Sequence, residues 1–319
     1  MYNRIRTLTV LAALIVPALG CWSVSPVNDA SVDDSQADSG ESTEPKDMAF
    51  GTPDTLDVVT WNIEEFPKRG QTTVDGVLEI LQTLDADLFA LQEISDVDAF
   101  ARMLDEMPGW EGYVDSAWYG GLAYLYRTST IEVGRNYEIY TTEEFWAAFP
   151  RSPQVMEFRF GNQDFVVINN HFKCCGNGKL DQGDPWDEET RRMDATNLLK
   201  AYIDTHFSQS RVIVLGDLND SLTDSAPNNV FTSMLNDPDN YLFADMAIAE
   251  GETAAWSFPS YPSHLDHILI SSALFDGFEH EDAAVLSLPV DEVFFDGWRA
   301  YERKVSDHRP VALRIPLVE

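Results

Sequence analysis

The run Val212-Ile213-Val214-Leu215-Gly216-Asp217-Leu218-Asn219-Asp220 constrains this chain more than any other stretch. Its leading residues are β-branched or apolar and read as a buried strand, and the glycine after them permits a sharp turn. The carboxylate of Asp217 and the amide of Asn219 then emerge together at the strand's C-terminal end, where open α/β sheets usually hold ligands. Alternation sends both polar side chains to one side and Leu218 to the other. Taken alone, the segment reads better as a strand closing in a polar turn. The functional reading rests on what the rest of the chain adds.

With 319 residues and 44% apolar content, the chain can bury a substantial core as one large α/β domain or two small ones. Its formal charge of −33 speaks against a broad electrostatic grip on nucleic acid, because Lys and Arg supply most non-specific affinity for phosphate. An acidic partner needs a local basic patch or bound cations. Acidity of this size suits an extracellular or saline setting.

Arg4 and Arg6 precede an apolar run from Leu8 to Leu19 that is too short to span a bilayer, so residues 1–20 read as an export signal. Ala18-Leu19-Gly20-Cys21 resembles a bacterial lipoprotein cleavage box. If Cys21 is acylated, the protein is a lipoprotein at the outer membrane or cell surface. Ordinary cleavage near the same place gives a secreted protein. Residues 21–54 are rich in Ser, Asp, Glu, Thr and Pro and poor in large apolar residues, the composition of a disordered acidic tether. The folded domain is expected over 55–319, with no internal repeat and no protein partner implied.

Within that domain the pattern alternates between periods of two and 3.6. Leu56–Ile63 reads as a strand, Thr73–Leu84 as an amphipathic helix, Ala86–Gln92 as a strand and Val97–Met107 as a helix. Strands follow near Trp110–Val114, Leu122–Arg127, Ile131–Ile139, Val155–Phe160 and Phe165–His171. A long helix covers Glu188–Phe207, and strands return at Val212–Leu215, Leu265–Ile270 and Val311–Ile315. Mixed strands interleaved with few helices imply an α/β fold of two packed sheets with helices on the outer faces.

Polar residues collect at the ends of these strands: Asn62, Glu93, His171, Asp217 and Asn219 close them, and Asp266, His267, Asp307 and His308 open or precede them. Each alone has an ordinary explanation as a turn amide, a surface carboxylate or a core histidine. Repeated placement of Asn, Glu, Asp and His at successive strand mouths is what a metal-assisted phosphoryl-transfer site requires.

Thr60-Trp61-Asn62-Ile63, Leu91-Gln92-Glu93-Ile94, Asn170-His171-Phe172-Lys173, Gly216-Asp217-Leu218-Asn219, Leu265-Asp266-His267-Ile268 and Ser306-Asp307-His308-Arg309-Pro310 resemble, in order, the motifs of the endonuclease/exonuclease/phosphatase superfamily. That superfamily includes deoxyribonucleases, abasic-site endonucleases, sphingomyelinases and inositol-polyphosphate phosphatases. The resemblance implies a four-layer α/β/β/α sandwich and divalent-metal-dependent hydrolysis of a phosphoester. It implies Glu93, Asn62 and Asp307 as holders of Mg²⁺, with Mn²⁺ or Ca²⁺ as alternatives. His308, oriented by Asp266, is the expected general base or phosphate contact, and Asp217 with Asn219 would hold the attacking water. His171, as in the deoxyribonuclease- and sphingomyelinase-like branches, is the expected general acid or phosphate donor. Arg127, Arg151 and Lys173 could add positive charge around the phosphate.

Cys174 and Cys175 follow the histidine motif, and in an oxidising compartment they would have to bond to each other. Adjacent Cα atoms are about 3.8 Å apart, below the usual disulfide range, so such a bridge would be strained. Asp181–Asp187 form an acidic loop that either offers oxygen ligands to Ca²⁺ or is simply solvated. Arg191 and Arg192 either line the rim of the site or, more ordinarily, pair on the surface with Glu188 or Glu189. Trp256, Phe258 and Tyr261 precede Asp266 and could stack on bases, rest on lipid or fill core. The favoured function is a nuclease acting on DNA or RNA phosphodiesters. The alternative is a lipid- or inositol-headgroup phosphodiesterase or phosphatase, and a non-catalytic surface-binding lipoprotein ranks third.

Overall fold

The computed structural model describes residues 5–8, 48–115 and 120–318. The expected signal and most of the tether, Cys21 included, lie outside the described residues. Strand β1 (Ile5–Leu8) is the exception, pairing in parallel with β4 (Trp110–Asp115). The other elements are β2 (Thr55–Phe66), α1 (Gln71–Leu84), β3 (Leu88–Ile94), α2 (Val97–Asp105), β5 (Gly121–Arg127), β6 (Ile131–Glu138), β7 (Gln154–Phe160), β8 (Gln163–His171), α3 (Glu188–His206), β9 (Arg211–Asp217), β10 (Tyr241–Phe243), β11 (Asp266–Ser271), β12 (Ala284–Ser287) and β13 (Val311–Pro316), with short helices among the later strands.

One 7-stranded sheet runs β1-β4-β5-β3-β2-β13-β12 and a 6-stranded sheet runs β10-β11-β9-β8-β7-β6. Alternation along each central strand separates three apolar layers. Val58, Leu88, Ala90, Val167, Ile213, Leu215, Ile268 and Leu313 fill the space between the sheets. Val59, Trp61, Phe89 and Leu91 face outward under α1 and α2, whose Val77, Ile80, Leu81 and Phe100 cover them. Val166, Ile168, Val212 and Val214 face outward on the other sheet, beneath Ala195, Leu199 and Ile203 of α3. This is the α/β/β/α order of layers. Each such fully buried aliphatic or aromatic side chain contributes about 1.5–3 kcal/mol. Asp96 caps α2 by accepting the Ala99 N–H at 2.9 Å, and Asp187 caps α3 by accepting that of Thr190 at 2.8 Å.

Packing begins before residue 55. Phe50 is buried, its N–H donates to the Leu84 carbonyl at 2.9 Å, and the Arg314 guanidinium lies 4.7 Å from its ring centroid. The last residues assigned to the tether therefore belong to the domain. Among the described residues, no helix is long and apolar enough to cross a membrane.

Toward one end of the sandwich the inter-sheet layer turns polar. Gln92 Nε2 donates to Asn169 Oδ1 at 2.8 Å, joining β3 to β8, and Asn169 Nδ2 donates to the Leu91 and Ala123 carbonyls at 3.1 Å each. The strand ends just beyond carry the charged residues.

Gly216 is required at this end. Its φ is 141, and a Cβ there would lie 1.9 Å from the Asn170 carbonyl oxygen on the neighbouring strand. Gly216→Ala is expected to lower unfolding free energy in urea by at least about 3 kcal/mol, since strain and a backbone clash combine.

Candidate active site

Register brings the first residues together. On adjacent strands β8, β9 and β11, His171 stands opposite Asp217 and Asp217 opposite Asp266. The facing sheet delivers Asn62 from β2 and Glu93 from β3, while Asp307 and His308 lie in the turn that enters β13 antiparallel to β2. Asn62 ties the sheets together: its Nδ2 donates to Glu93 Oε1 at 3.2 Å and to Asp217 Oδ2 at 3.0 Å. Glu93 has φ 67, and its Oε2 accepts the Glu65 N–H at 2.9 Å.

His308 is fixed on every side. Its Nδ1 lies 2.7 Å from Asp266 Oδ2, and its Nε2 is 3.8 Å from Asp217 Oδ2 and 3.9 Å from Asp307 Oδ1. Its N–H donates to Ser306 Oγ at 2.9 Å, and that hydroxyl donates to the Asn62 carbonyl at 2.6 Å. Its carbonyl accepts from Trp61 Nε1 at 3.2 Å and from the Tyr301 hydroxyl. The Phe258 ring packs on the imidazole with centroids 4.8 Å apart, and Tyr261 stacks on Phe258 while 77% exposed. Asp266 is held by Ser257 Oγ, which accepts its N–H at 3.2 Å.

His171 Nε2 is 3.4 Å from Asp217 Oδ2 and 3.9 Å from Glu93 Oε1. Asn219 has φ 56; its N–H donates to Asp217 Oδ1 at 3.1 Å and its Nδ2 to the Phe172 carbonyl at 3.3 Å. The structure thus brings Asn62, Glu93, His171, Asp217, Asn219, Asp266, Asp307 and His308 to one end of the sandwich.

The expected cations divide. Arg127 stands at the opposite end of β5, paired with Asp85 and lying 4.7 Å from the Trp110 ring centroid, so it is not part of this cluster. The strand's length carries it away from the Gly121 end, which stands opposite Ile94 next to Glu93. Lys173 turns onto its own loop, its Nζ donating to the Cys174 carbonyl at 2.9 Å. Arg151 lies within electrostatic reach of His171. Cys174 and Cys175 are free, exposed thiols with Sγ atoms 3.0 Å apart, so the strained bridge considered for them is not formed here. Arg192 does pair with Glu189 as helical spacing expects, at 3.6 Å, but it is buried instead of on the surface and is also bonded to Asp220.

Residues that sequence reasoning missed complete the site. Glu64 sits beside Asp307 and Glu93 and pairs with Lys68, which also donates to the Glu302 carbonyl. No sequence signal marked it, because β2 loses its regular alternation after Asn62, with positive φ at Glu64 and Glu65.

Burial without enough counter-charge shapes the electrostatics. Burial pushes the Asp217 carboxyl up to about 7, with Asp266 and Glu93 adding to the shift and His308 and the Asn62 amide opposing it. Burial likewise raises Asp307 and Glu64, each further disfavoured as an anion by Glu93. Burial acts to lower His308, but the carboxylates of Asp266 and Asp217 outweigh it and hold the imidazolium well above the usual range. His171 is lowered well below it, first by burial and then by the charges of Arg151 and His308. Crowded oxygen donors that resist ionisation together suit a hard divalent cation, to which Glu93 and Asp307 could offer carboxylate oxygens and Asn62 the remaining lone pair of an Oδ1 that already accepts the Glu64 N–H at 3.0 Å. The ligand atoms of Asp217, Asp266 and His308 also lie within 4.8 Å of one another, but Asp266 is engaged with the His308 ring.

A raised carboxyl pKa stabilises the fold below the unfolded value of about 4, and that stability is lost as pH rises through about 7. In chelator, Asp217→Asn is therefore expected to melt at the same temperature as the parent near pH 4 and several degrees above it near pH 8, measured by calorimetry.

Comparison with known proteins bears on the fold and the family. A search of curated proteins finds no match. Among solved structures, D. rerio TDP2 complexed with a single-strand DNA product is similar at TM-score 0.61 and 14% identity, covering 83% of this chain and 100% of that one. The human nocturnin catalytic domain with bound sulfate is similar at TM-score 0.59 and 17% identity, covering 84% and 96%. The mannosyl-6-phosphatase of Bacteroides thetaiotaomicron VPI-5482 is similar at TM-score 0.57 and 15% identity, covering 82% and 100%. At these identities the likeness shows a shared fold. The model of the Endonuclease/Exonuclease/phosphatase family matches residues 59–308, and the chain belongs to that family of metal-dependent phosphoric ester hydrolases.

Proposed function

We propose that the protein is an exported phosphodiesterase that hydrolyses nucleic acid, held at the cell surface where Cys21 is acylated. The observation that carries the catalytic part is the convergence of His171, Asp217 and the His308–Asp266 pair on one point between the two sheets. Glu93, Asn62 and Asp307 would hold the divalent cation, which when bound neutralises the non-bridging phosphate oxygens. Asp217 accepts the proton of the attacking water, because its carboxyl at about 7 matches a base working near neutrality. Asn219 orients that water beside it. This assigns the base to Asp217 instead of the His308–Asp266 pair, whose imidazolium already carries its proton and can give it to the departing oxygen. His171, kept neutral by its surroundings, serves as a hydrogen-bond donor to the phosphate through Nε2 and not as the acid.

The Phe258–Tyr261 stack beside His308 supports a substrate with a flat ring next to its phosphate, as a nucleotide has. A second reading, a phosphatase or phosphodiesterase acting on a sugar or lipid headgroup, is favoured by the charge of −33 and by the position of Arg127 away from the cluster.

Purified protein incubated with plasmid, RNA, sphingomyelin and a sugar phosphate, with Mg²⁺ or chelator, tests both. Cleavage of nucleic acid in Mg²⁺ alone is expected, with Asp217→Ala and His308→Ala each lowering kcat by about a thousandfold or more. Turnover of only the sugar or lipid substrate establishes the second reading, and full activity in Asp217→Ala removes the site.

A further inference from the structure

His267 follows Asp266 on β11, so strand alternation turns it to the opposite face of the sheet from the reaction centre. It is fully buried there, against the edges of Phe231 and Phe243. Both ring nitrogens face acceptors: Nδ1 lies 2.6 Å from Asp245 Oδ2 and Nε2 lies 2.8 Å from the Asp220 carbonyl oxygen. Two acceptors require two N–H donors, so this ring is an imidazolium and Asp245 is its counter-ion. Burial opposes that charge, but the Asp245 carboxylate outweighs it and raises His267.

Both oxygens of Asp245 are engaged. Its Oδ1 accepts the Ile268 N–H at 2.8 Å, and its Oδ2 also meets His264 Nε2 at 2.9 Å. His264 Nδ1 receives the Ser257 N–H at 3.4 Å, so the hydrogen of that ring is on Nε2. Although ligand atoms of Asp245, His264 and His267 lie within 4.8 Å of one another, the lone pairs a cation would need are taken by hydrogen bonds. The cluster is a neutral buried knot.

What the knot grips is the turn after β9. Asp220 follows the left-handed Asn219, with its carbonyl held by His267 and its Oδ2 held by Arg192 Nε at 2.7 Å. Arg192, buried in α3, also donates through Nη1 to the carbonyls of Lys173 at 2.7 Å and Cys175 at 2.8 Å. Those residues form the turn after β8, whose Phe172 carbonyl accepts from Asn219. One guanidinium thus joins the two turns that carry His171 and Asn219.

We propose that His267 and Arg192 are positioning residues for phosphoester hydrolysis, locking the 217–220 turn to the 171–175 turn so that Asn219 and His171 face one phosphate. Neither touches substrate. The proposal rests on the hydrolytic chemistry of the family and not on the nucleic-acid reading, so its assay uses bis(p-nitrophenyl) phosphate with Mn²⁺ and the full chain. His267→Gln, Arg192→Lys and the near-isosteric Asp220→Asn should each lower kcat about tenfold or more with KM within about twofold. Each combined with Asn219→Ala should lose less than the product of the two single losses, because part of the effect travels through Asn219 and the rest through His171.

A second readout needs neither activity nor the buried histidine substitution. In Asp220→Asn, amide hydrogen exchange should quicken together in 172–176 and 218–222 while β8 and β9 stay protected. Multiplicative losses in the double variants, an unchanged kcat, or exchange that quickens in neither turn or in only one overturns the proposal. A stoichiometric transition metal lost in His267→Gln overturns the neutral knot. A parent protein inactive on the probe counts against the hydrolytic reading, and the exchange result then judges the positioning role separately.

Discussion

The Asn62 amide is the contact on which the rest of the site depends. It is the one side chain of the central β2 strand whose nitrogen bonds both a carboxylate of its own sheet, Glu93, and one of the facing sheet, Asp217. Two stacked sheets pack about 10 Å apart, too far for most short side chains to meet across the gap. At this end the strands stop, the apolar filling gives way to the Gln92–Asn169 bond, and Asn62 closes the remaining distance. The fold thus grades from a dry core through an amide layer to a charged mouth.

That gradation explains why the carboxylates at the mouth are electrostatically unfavourable to one another. Carboxylates placed where water is scarce are destabilised as anions, and several here also repel one another. The chain tolerates this because the surrounding framework over-determines their positions. Ser306, Tyr301 and Trp61 fix the His308 backbone, Asp266 fixes its ring, and Glu65 fixes Glu93. Preorganisation of this kind is what lets fixed groups act on charge developing in a transition state without further rearrangement.

Much of the architecture was legible in the sequence because the central strands alternate cleanly and are bounded by polar turns. Val212 to Leu215 divide between the two sides of their sheet as the period-two pattern requires. The residues at strand mouths were legible for the same reason: once strand ends are known, register does the rest, as the row His171, Asp217, Asp266 shows. What was not legible depended on where loops return. Arg127 looked available for phosphate but sits at the wrong end of its strand, beside Asp85. Arg192 looked like a surface residue, since helical spacing cannot reveal that the turns after β8 and β9 fold over it. Glu64 and Lys68 were hidden because β2 breaks its alternation with positive φ at Glu64 and Glu65. Short edge strands β10 and β12 carry too few residues for any periodicity to register.

The most direct measurement of the account is anomalous scattering from a crystal equilibrated with Mn²⁺. The account predicts a peak within about 2.5 Å of a Glu93 carboxylate oxygen, with Asn62 and Asp307 beside it. A peak confined to Asp245, His264 and His267, or a cluster around Glu93 that stays free of the ion at concentrations that saturate the protein elsewhere, would contradict it.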